Sequence, residues 1–227
     1  MSPRSTFFLL LCVILAAGLP GGPGPMAQPA GDSSPGLPAW AVPVLRLVSA
    51  THVVPTTGVV LSPDGLVLVP IEFTAGDEEL LVLDGGPDPV RHGRPATVAS
   101  RWPLQGLAIL QVERLRRPPV ILADADPADG EVVRLLAFPP AELIEAGISS
   151  VTREARLEAN GPGLQPADEG LPNLTGALVN GCGRLVGHSA ARGVQGMGHT
   201  GNTLYRWRDA LARDLAAAGI ELASAPC

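Results

Sequence analysis

The sequence predicts an all-β protein, a barrel or sandwich of short strands, with one short helix near its end. Three observations carry that prediction. Short apolar, β-prone runs recur from Ala41 to about Gly193. Turn residues separate them, as in Asp84-Gly85-Gly86-Pro87, Pro127-Ala128-Asp129-Gly130 and Gly161-Pro162-Gly163. Helical spacing is well signalled once, where Leu204, Trp207, Leu211 and Leu215 share a face. No internal repeat of fixed period is evident.

The clearest element is a hairpin. Val59 to Leu61 and Leu66 to Val69 flank Ser62-Pro63-Asp64-Gly65. Pro63 pre-sets φ for a type I turn, Asp64 can bond its own backbone, and Gly65 accepts positive φ. The other predicted strands are Val44 to Val48, Leu80 to Leu83, Thr97 to Ala99, Leu107 to Val112 and Val120 to Leu122. Val132 to Ala137, Ser149 to Arg153, Gly176 to Val179 and Leu185 to His188 complete the set. The helix runs from a cap at Asn202 or Thr203 to a stop at Gly219, with Asp209 and Arg213 as an i,i+4 pair. Its apolar stripe, Trp207 included, reads as packing against the strands rather than as a ligand platform. Ala141 to Ala146 reads as a further turn of helix.

Residues 1–18 read as an export signal: Arg4 precedes an eleven-residue apolar core, Phe7 to Ala17, too short for the roughly 20 residues that span a bilayer. Cleavage after Ala17 is expected, and the mass of the native protein checks it: a start after Ala17 agrees, whereas an intact Met1 in a membrane pellet contradicts it. Cys12 lies inside the signal core, and the three leucines before it lack the small residue of a lipid-attachment site. Residues 19–39, rich in Gly, Pro, Ala and Ser, form a flexible tether. The folded part then spans about 180 residues. A net charge of −6 and a pI of 5.2 argue against nucleic acid and against an anionic membrane surface. Export removes Cys12 and leaves Cys182 and Cys227 in an oxidising compartment; the sequence allows either a disulfide or two free thiols.

The hairpin and three later segments resemble trypsin-like serine proteases of the HtrA (Deg) type. Thr56-Thr57-Gly58 stands where that family has Gly-Ser-Gly. Gly106-Leu107-Ala108-Ile109-Leu110 resembles its Asp-Leu-Ala-Val-Leu strand. Leu122-Ala123-Asp124-Ala125-Asp126, then Gly130-Glu131-Val132-Val133 and Phe138-Pro139, follow its next run. Pro172-Asn173-Leu174-Thr175-Gly176-Ala177-Leu178-Val179-Asn180 matches its nucleophile motif, Gly-Asn-Ser-Gly-Gly-Pro-Leu-Val-Asn, without a gap. The resemblance implies a two-barrel chymotrypsin-like fold, with residues 40–118 as the first barrel, 119–201 as the second, 202–219 as the helix and 220–227 as a tail. It also implies that the catalytic His, Asp and Ser positions are held by Glu72, Gly106 and Leu174.

A serine hydroxyl needs a base within hydrogen-bond reach and a third group to orient that base. Leu174 has no heteroatom and Gly106 no side chain, so the triad is absent at all three positions. One oxyanion donor falls on Pro172, which lacks a backbone N–H. The resulting expectation is an exported, inactive protease homologue that binds or scaffolds an unknown protein or peptide in the inter-barrel cleft, with Thr175, His188 and Ser189 as cleft residues. The alternative is a divergent hydrolase built on Thr175 and His188. A third reading is an unrelated β-sandwich. The histidines His52, His92, His188 and His199 are scattered, and Asp124, Asp126 and Asp129 read as a solvated acidic turn, so the sequence calls for no metal and no cofactor.

Overall fold

The computed structural model describes residues 37–49, 52–85, 89–138, 151–160, 163–166, 175–191 and 203–227. Strands β1 (Ala41–Ser49), β2 (His52–Val60), β3 (Leu66–Pro70), β4 (Glu79–Leu83), β5 (Gly93–Trp102) and β6 (Leu107–Val112) close into a barrel in the order β1-β2-β3-β6-β5-β4. A helical turn, α1 (Pro89–His92), joins β4 to β5. Closure leaves this sheet without a free edge. The β2–β3 hairpin takes the form its turn residues dictate: Gly65 N–H donates to Ser62 O at 3.1 Å, Leu61 N–H donates to Leu66 O at 2.7 Å, and Gly65 sits at φ +89°.

Gly65 has a second constraint. A Cβ there would lie 1.9 Å from the carbonyl oxygen of Val112, the residue that ends β6. Gly65→Ala is therefore expected to lower unfolding stability by at least ~2 kcal/mol, from overpacking plus the positive φ. Gly181→Ala, where a Cβ meets nothing within 4 Å, serves as the control in the same urea titration and should leave stability nearly unchanged. Equal midpoints for the two variants would refute the close approach.

The second sheet contains β7 (Val132–Ala137), β8 (Val151–Asn160), β9 (Gly163–Pro166), β10 (Gly176–Val179), β11 (Leu185–Ala191) and β12 (Thr203–Trp207), in the order β12-β11-β10-β7-β8-β9. Helix α2 (Arg208–Ala217) follows. The whole is the two-barrel, chymotrypsin-like architecture expected, one barrel closed and the other described as a six-stranded sheet. Among the described residues, no helix is long and apolar enough to cross a membrane.

The structure differs from the sequence-based expectation at four points. Thr203–Trp207 is strand, not the first turns of the helix: five rungs pair it with Gly187 to Ala191 of β11. Tyr205 and Trp207 pack on the second apolar cluster, their rings 5.9 Å apart, so burial of aromatic side chains on a sheet outweighs the helical spacing. The cap of α2 is consequently neither Asn202 nor Thr203. Asp126, brought by the inter-barrel linker, accepts from Asp209 N–H at 2.8 Å. Asp209 pairs with Arg208 at 2.6 Å, and Asp214 pairs with Arg206, in place of the expected Asp209–Arg213 pair. Val120 to Leu122 is not a strand; only Leu122 makes isolated bridges, to Leu185 and Ser224. Ala141 to Ala146 lies outside the described residues.

One apolar cluster joins the barrels. It runs from Val42, Val44 and Val67 of the first barrel to Leu136, Ala177 and Val179 of the second and to Leu211 and Leu215 of α2. A smaller cluster, including Val133, Leu135, Leu157 and Leu178, fills the other face of the second sheet.

Candidate functional site at the barrel seam

The first barrel contributes Glu72 and Gly106. Strand β3 ends at Pro70 and runs into a short 3-10 turn, Ile71–Thr74, that carries Glu72. Strand β6 starts just after Gly106, which a turn from Trp102 places at φ +70°. Pro70 pairs with Leu107, and Ile71 N–H donates to Gly106 O at 2.9 Å. Backbone pairing thus brings the Glu72 and Gly106 segments side by side. Arg46, from β1, donates to Glu72 O at 3.2 Å and lies 5.5 Å over the Phe73 ring. Arg101 fixes the end of the turn by donating to Thr74 O at 2.8 Å. The groups around this turn therefore hold the backbone; Gly106 supplies no side chain to orient a base.

The second barrel contributes Thr175, His188 and Ser189. Thr175 Oγ1 lies 3.3 Å from Thr56 Oγ1 across the seam. Next to it, Gly176 N–H donates to Ser189 Oγ at 3.1 Å. A Cβ at Gly176 would lie 2.2 Å from Leu136 O and 3.2 Å from Thr57 Oγ1, so only glycine lets the strand approach so closely. Thr57 Oγ1 donates to Leu136 O at 3.3 Å and accepts from Phe138 N–H at 3.0 Å. Thr56 and Thr57 fasten β2 of one barrel to the other. Sequence reasoning gave these two threonines no role; the signal was two adjacent hydroxyls in an otherwise apolar strand.

His188 and Ser189 do not line an open cleft. His188 is 0% exposed and Ser189 1%. Ser189 Oγ turns to the Gly176 backbone. His188 is directly opposite Ala177 on β10 and Arg206 on β12, so it shares the face of Ala177, which belongs to the cluster spanning both barrels. Its two ring nitrogens have no hydrogen-bond partner among the described residues. Burial pushes the imidazole down to about 4; the Ser189 backbone, short of a well-formed hydrogen bond, offsets part of that shift. A base so weak, with neither nitrogen bonded to the Thr175 hydroxyl, is poorly suited to activate it at neutral pH.

Leu174 and Pro172 lie outside the described residues, as does His199. His52 is exposed on β2, and His92 ends α1. Among the described residues, no group of three or more His, Cys, Asp or Glu side chains is placed to hold a metal ion. Cys182, in the turn after β10, is disulfide-bonded to Cys227, with Cα atoms 5.8 Å apart. Asn180 organises that turn: its Oδ1 accepts from Cys182 N–H at 3.1 Å and from Arg184 N–H at 3.0 Å.

No protein-family model matches the chain, and no curated protein matches it. Solved structures do. A serine endoprotease from Yersinia pestis superposes with a TM-score of 0.58 at 22% identity, covering 81% of this chain and 64% of that one. The active form of a protease from M. tuberculosis gives 0.55 at 21%, covering 83% of each chain. Deg5 gives 0.55 at 16%, covering 77% of this chain and 87% of its own. This chain therefore spans less than two thirds of the Yersinia enzyme's length. The fold is the two-barrel, chymotrypsin-like fold that these proteases share.

Proposed function

We propose that this is an exported HtrA-type fold that has lost peptidase chemistry and works by holding an extended peptide or protein segment between its barrels. The observation that carries the reading is Gly106. The Gly106 backbone lies beside the Glu72 turn, its carbonyl accepting from Ile71 N–H, but the residue that the resemblance puts at the position of the orienting acid has no side chain. The resemblance puts Glu72 at the base and Leu174 at the nucleophile, so no hydroxyl is activated. Binding an extended chain requires backbone hydrogen bonds and side-chain pockets, not a triad. The apolar segment at residues 7–17 supports delivery to the periplasm or the exterior.

The test is chemical. Purified full-length protein is treated with an active-site serine/threonine probe, and the labelled fraction is read by intact mass. No labelling is expected. Stoichiometric labelling, at Thr175 or any serine, would sink the proposal and favour a divergent hydrolase.

A further inference from the structure

The segment after α2 is laid along the linker between the barrels. Gly219, at φ +76°, turns the chain out of the helix, and Ile220 N–H donates back to Leu215 O at 2.9 Å. Leu122 N–H then donates to Ala223 O at 2.9 Å, and Ala225 N–H donates to Leu122 O at 3.1 Å. On its other side the linker is bound to β11: Ala123 N–H donates to Leu185 O at 2.9 Å, and Leu185 N–H to Ile121 O at 3.0 Å. The linker is thus the middle ribbon of three, and residues 223–225 occupy an edge that would otherwise be open. Beneath this segment lies a hollow of about 250 Å³, walled by Leu122, Arg208 and Leu215 and by Ile220 and Leu222 of the segment itself. It is separate from the barrel seam.

What fastens the segment is unevenly distributed. Ala223, Ser224 and Pro226 are exposed, as are both cysteines. Past Leu222, the described ties are the two backbone bonds to Leu122, the Asn180 Nδ2 donation to Cys227 Sγ at 3.3 Å, and the Cys182–Cys227 bond. A covalent bond that closes a loop between residues 45 apart in sequence dominates such a set. An exposed disulfide is also open to thiol attack.

We infer that Cys182–Cys227 is a redox-operated latch, and that opening it frees the Leu122 edge to pair with an extended peptide segment from a partner. A dithiol reductant attacks the bond through a mixed disulfide, gives up two electrons and two protons, and is left as a cyclic disulfide; Cys182 and Cys227 are left as thiols. Residues 223–227, now held by two backbone bonds, exchange off the linker. The segment they vacate defines what fits: a large apolar residue over the hollow, as Leu222 is, followed by small residues in extended form, as Ala223-Ser224-Ala225 are. Recognition is by strand addition.

Hydrogen exchange on the full-length protein, oxidised and after dithiol reduction, tests the latch. The Leu122 and Ala225 amides should exchange about tenfold faster or more on reduction, with β1 to β6 unchanged. Cys182→Ser and Cys227→Ser should each reproduce the change without reductant. A fluorescent peptide copying residues 220–226 should then bind the reduced protein and both variants, but not the oxidised protein. The chain's own segment competes at an effective concentration of about millimolar, so the peptide is titrated into that range. Unchanged exchange on reduction overturns the latch. Faster exchange throughout the protein also overturns it, since the bond is then a staple for the whole fold. Local release with no peptide binding overturns the docking edge.

Discussion

A variant carrying Glu72→His, Gly106→Asp and Leu174→Ser together remains at background on casein and on small ester substrates. Two independent features oppose recovery. By the alignment, one of the two oxyanion donors is the backbone of Pro172, which has no N–H, and losing a single donor costs about 10²–10³ in rate in a well-studied protease. The second is conformational. Gly106 sits at φ +70°, a left-handed backbone that costs a side-chain-bearing residue roughly 1–2 kcal/mol, somewhat less for aspartate. The Asp needed to orient a restored histidine therefore either strains the turn or shifts it, and the Ile71–Gly106 bond at 2.9 Å shifts with it. Adding Pro172→Gly is the step expected to raise ester hydrolysis, if any step does. A triple variant that approached the rate of an ordinary trypsin-like enzyme would remove Pro172 from the oxyanion position and with it the alignment of residues 172–180.

The second large effect concerns acid. His188 titrates at about 4 in the folded protein against an ordinary 6.5, because it is buried. A depressed histidine favours the neutral form in the native state. Above pH 6.5 neither the folded nor the unfolded chain protonates it, and its contribution is constant. As pH falls from 6.5 to 4, the unfolded chain takes up a proton that the native state refuses, so stability is lost, by up to about 3 kcal/mol at the lower end. His188→Leu keeps the volume, removes two buried ring nitrogens that lack partners among the described residues, and should flatten the slope between pH 6.5 and 4.5. Urea unfolding of both forms across that range measures it, since the two differ only at residue 188. Parallel losses would show that His188 is not the group responsible. Arg206, opposite His188, is already paired with Asp214, so the neighbouring charges are present in both forms.

The hairpin at Ser62 to Gly65 was legible because its conformation is fixed by the residues in it. Several strands of the first barrel were legible as well, from their short apolar, β-prone runs. Strand β12 was not legible. Leu204, Trp207, Leu211 and Leu215 keep helical spacing straight across the junction at Arg208, and what makes Thr203–Trp207 a strand is its pairing with the β11 edge, a non-local fact. Strand β9 is four residues ending in proline, too short to stand out from a loop. At the seam, the residue types at Glu72 and Gly106, where the resemblance puts a base and its orienting acid, could be read directly, because they are a matter of residue identity. That Ser189 turns inward, that His188 is sealed, and that Thr56 and Thr57 bind the barrels together depend on the register of β10 against β11 and on the approach of β2 to β7. Of these, only the adjacent hydroxyls of Thr56 and Thr57 leave a local pattern. The cysteines show the same division: two residues suited to pairing were visible, and the geometry that joins them was not.

The order of the strands carries a consequence for synthesis. Every hydrogen-bonded neighbour in the closed barrel lies between Ala41 and Val112, so its circuit can be completed while the rest of the chain is still being made. The second sheet has no such independence. Strand β11 waits for β12, which ends at Trp207, and the linker's outer edge waits for Ala225. The first barrel's buried cluster also stays open on the side that Leu136, Ala177 and Leu211 will cover. A nascent chain paused before Thr203 would present a finished barrel with one apolar flank and an unpaired sheet edge, the surfaces on which partly folded chains associate wrongly. Rapid completion of β12, α2 and the segment after it is then as important to yield as the stability of the finished protein.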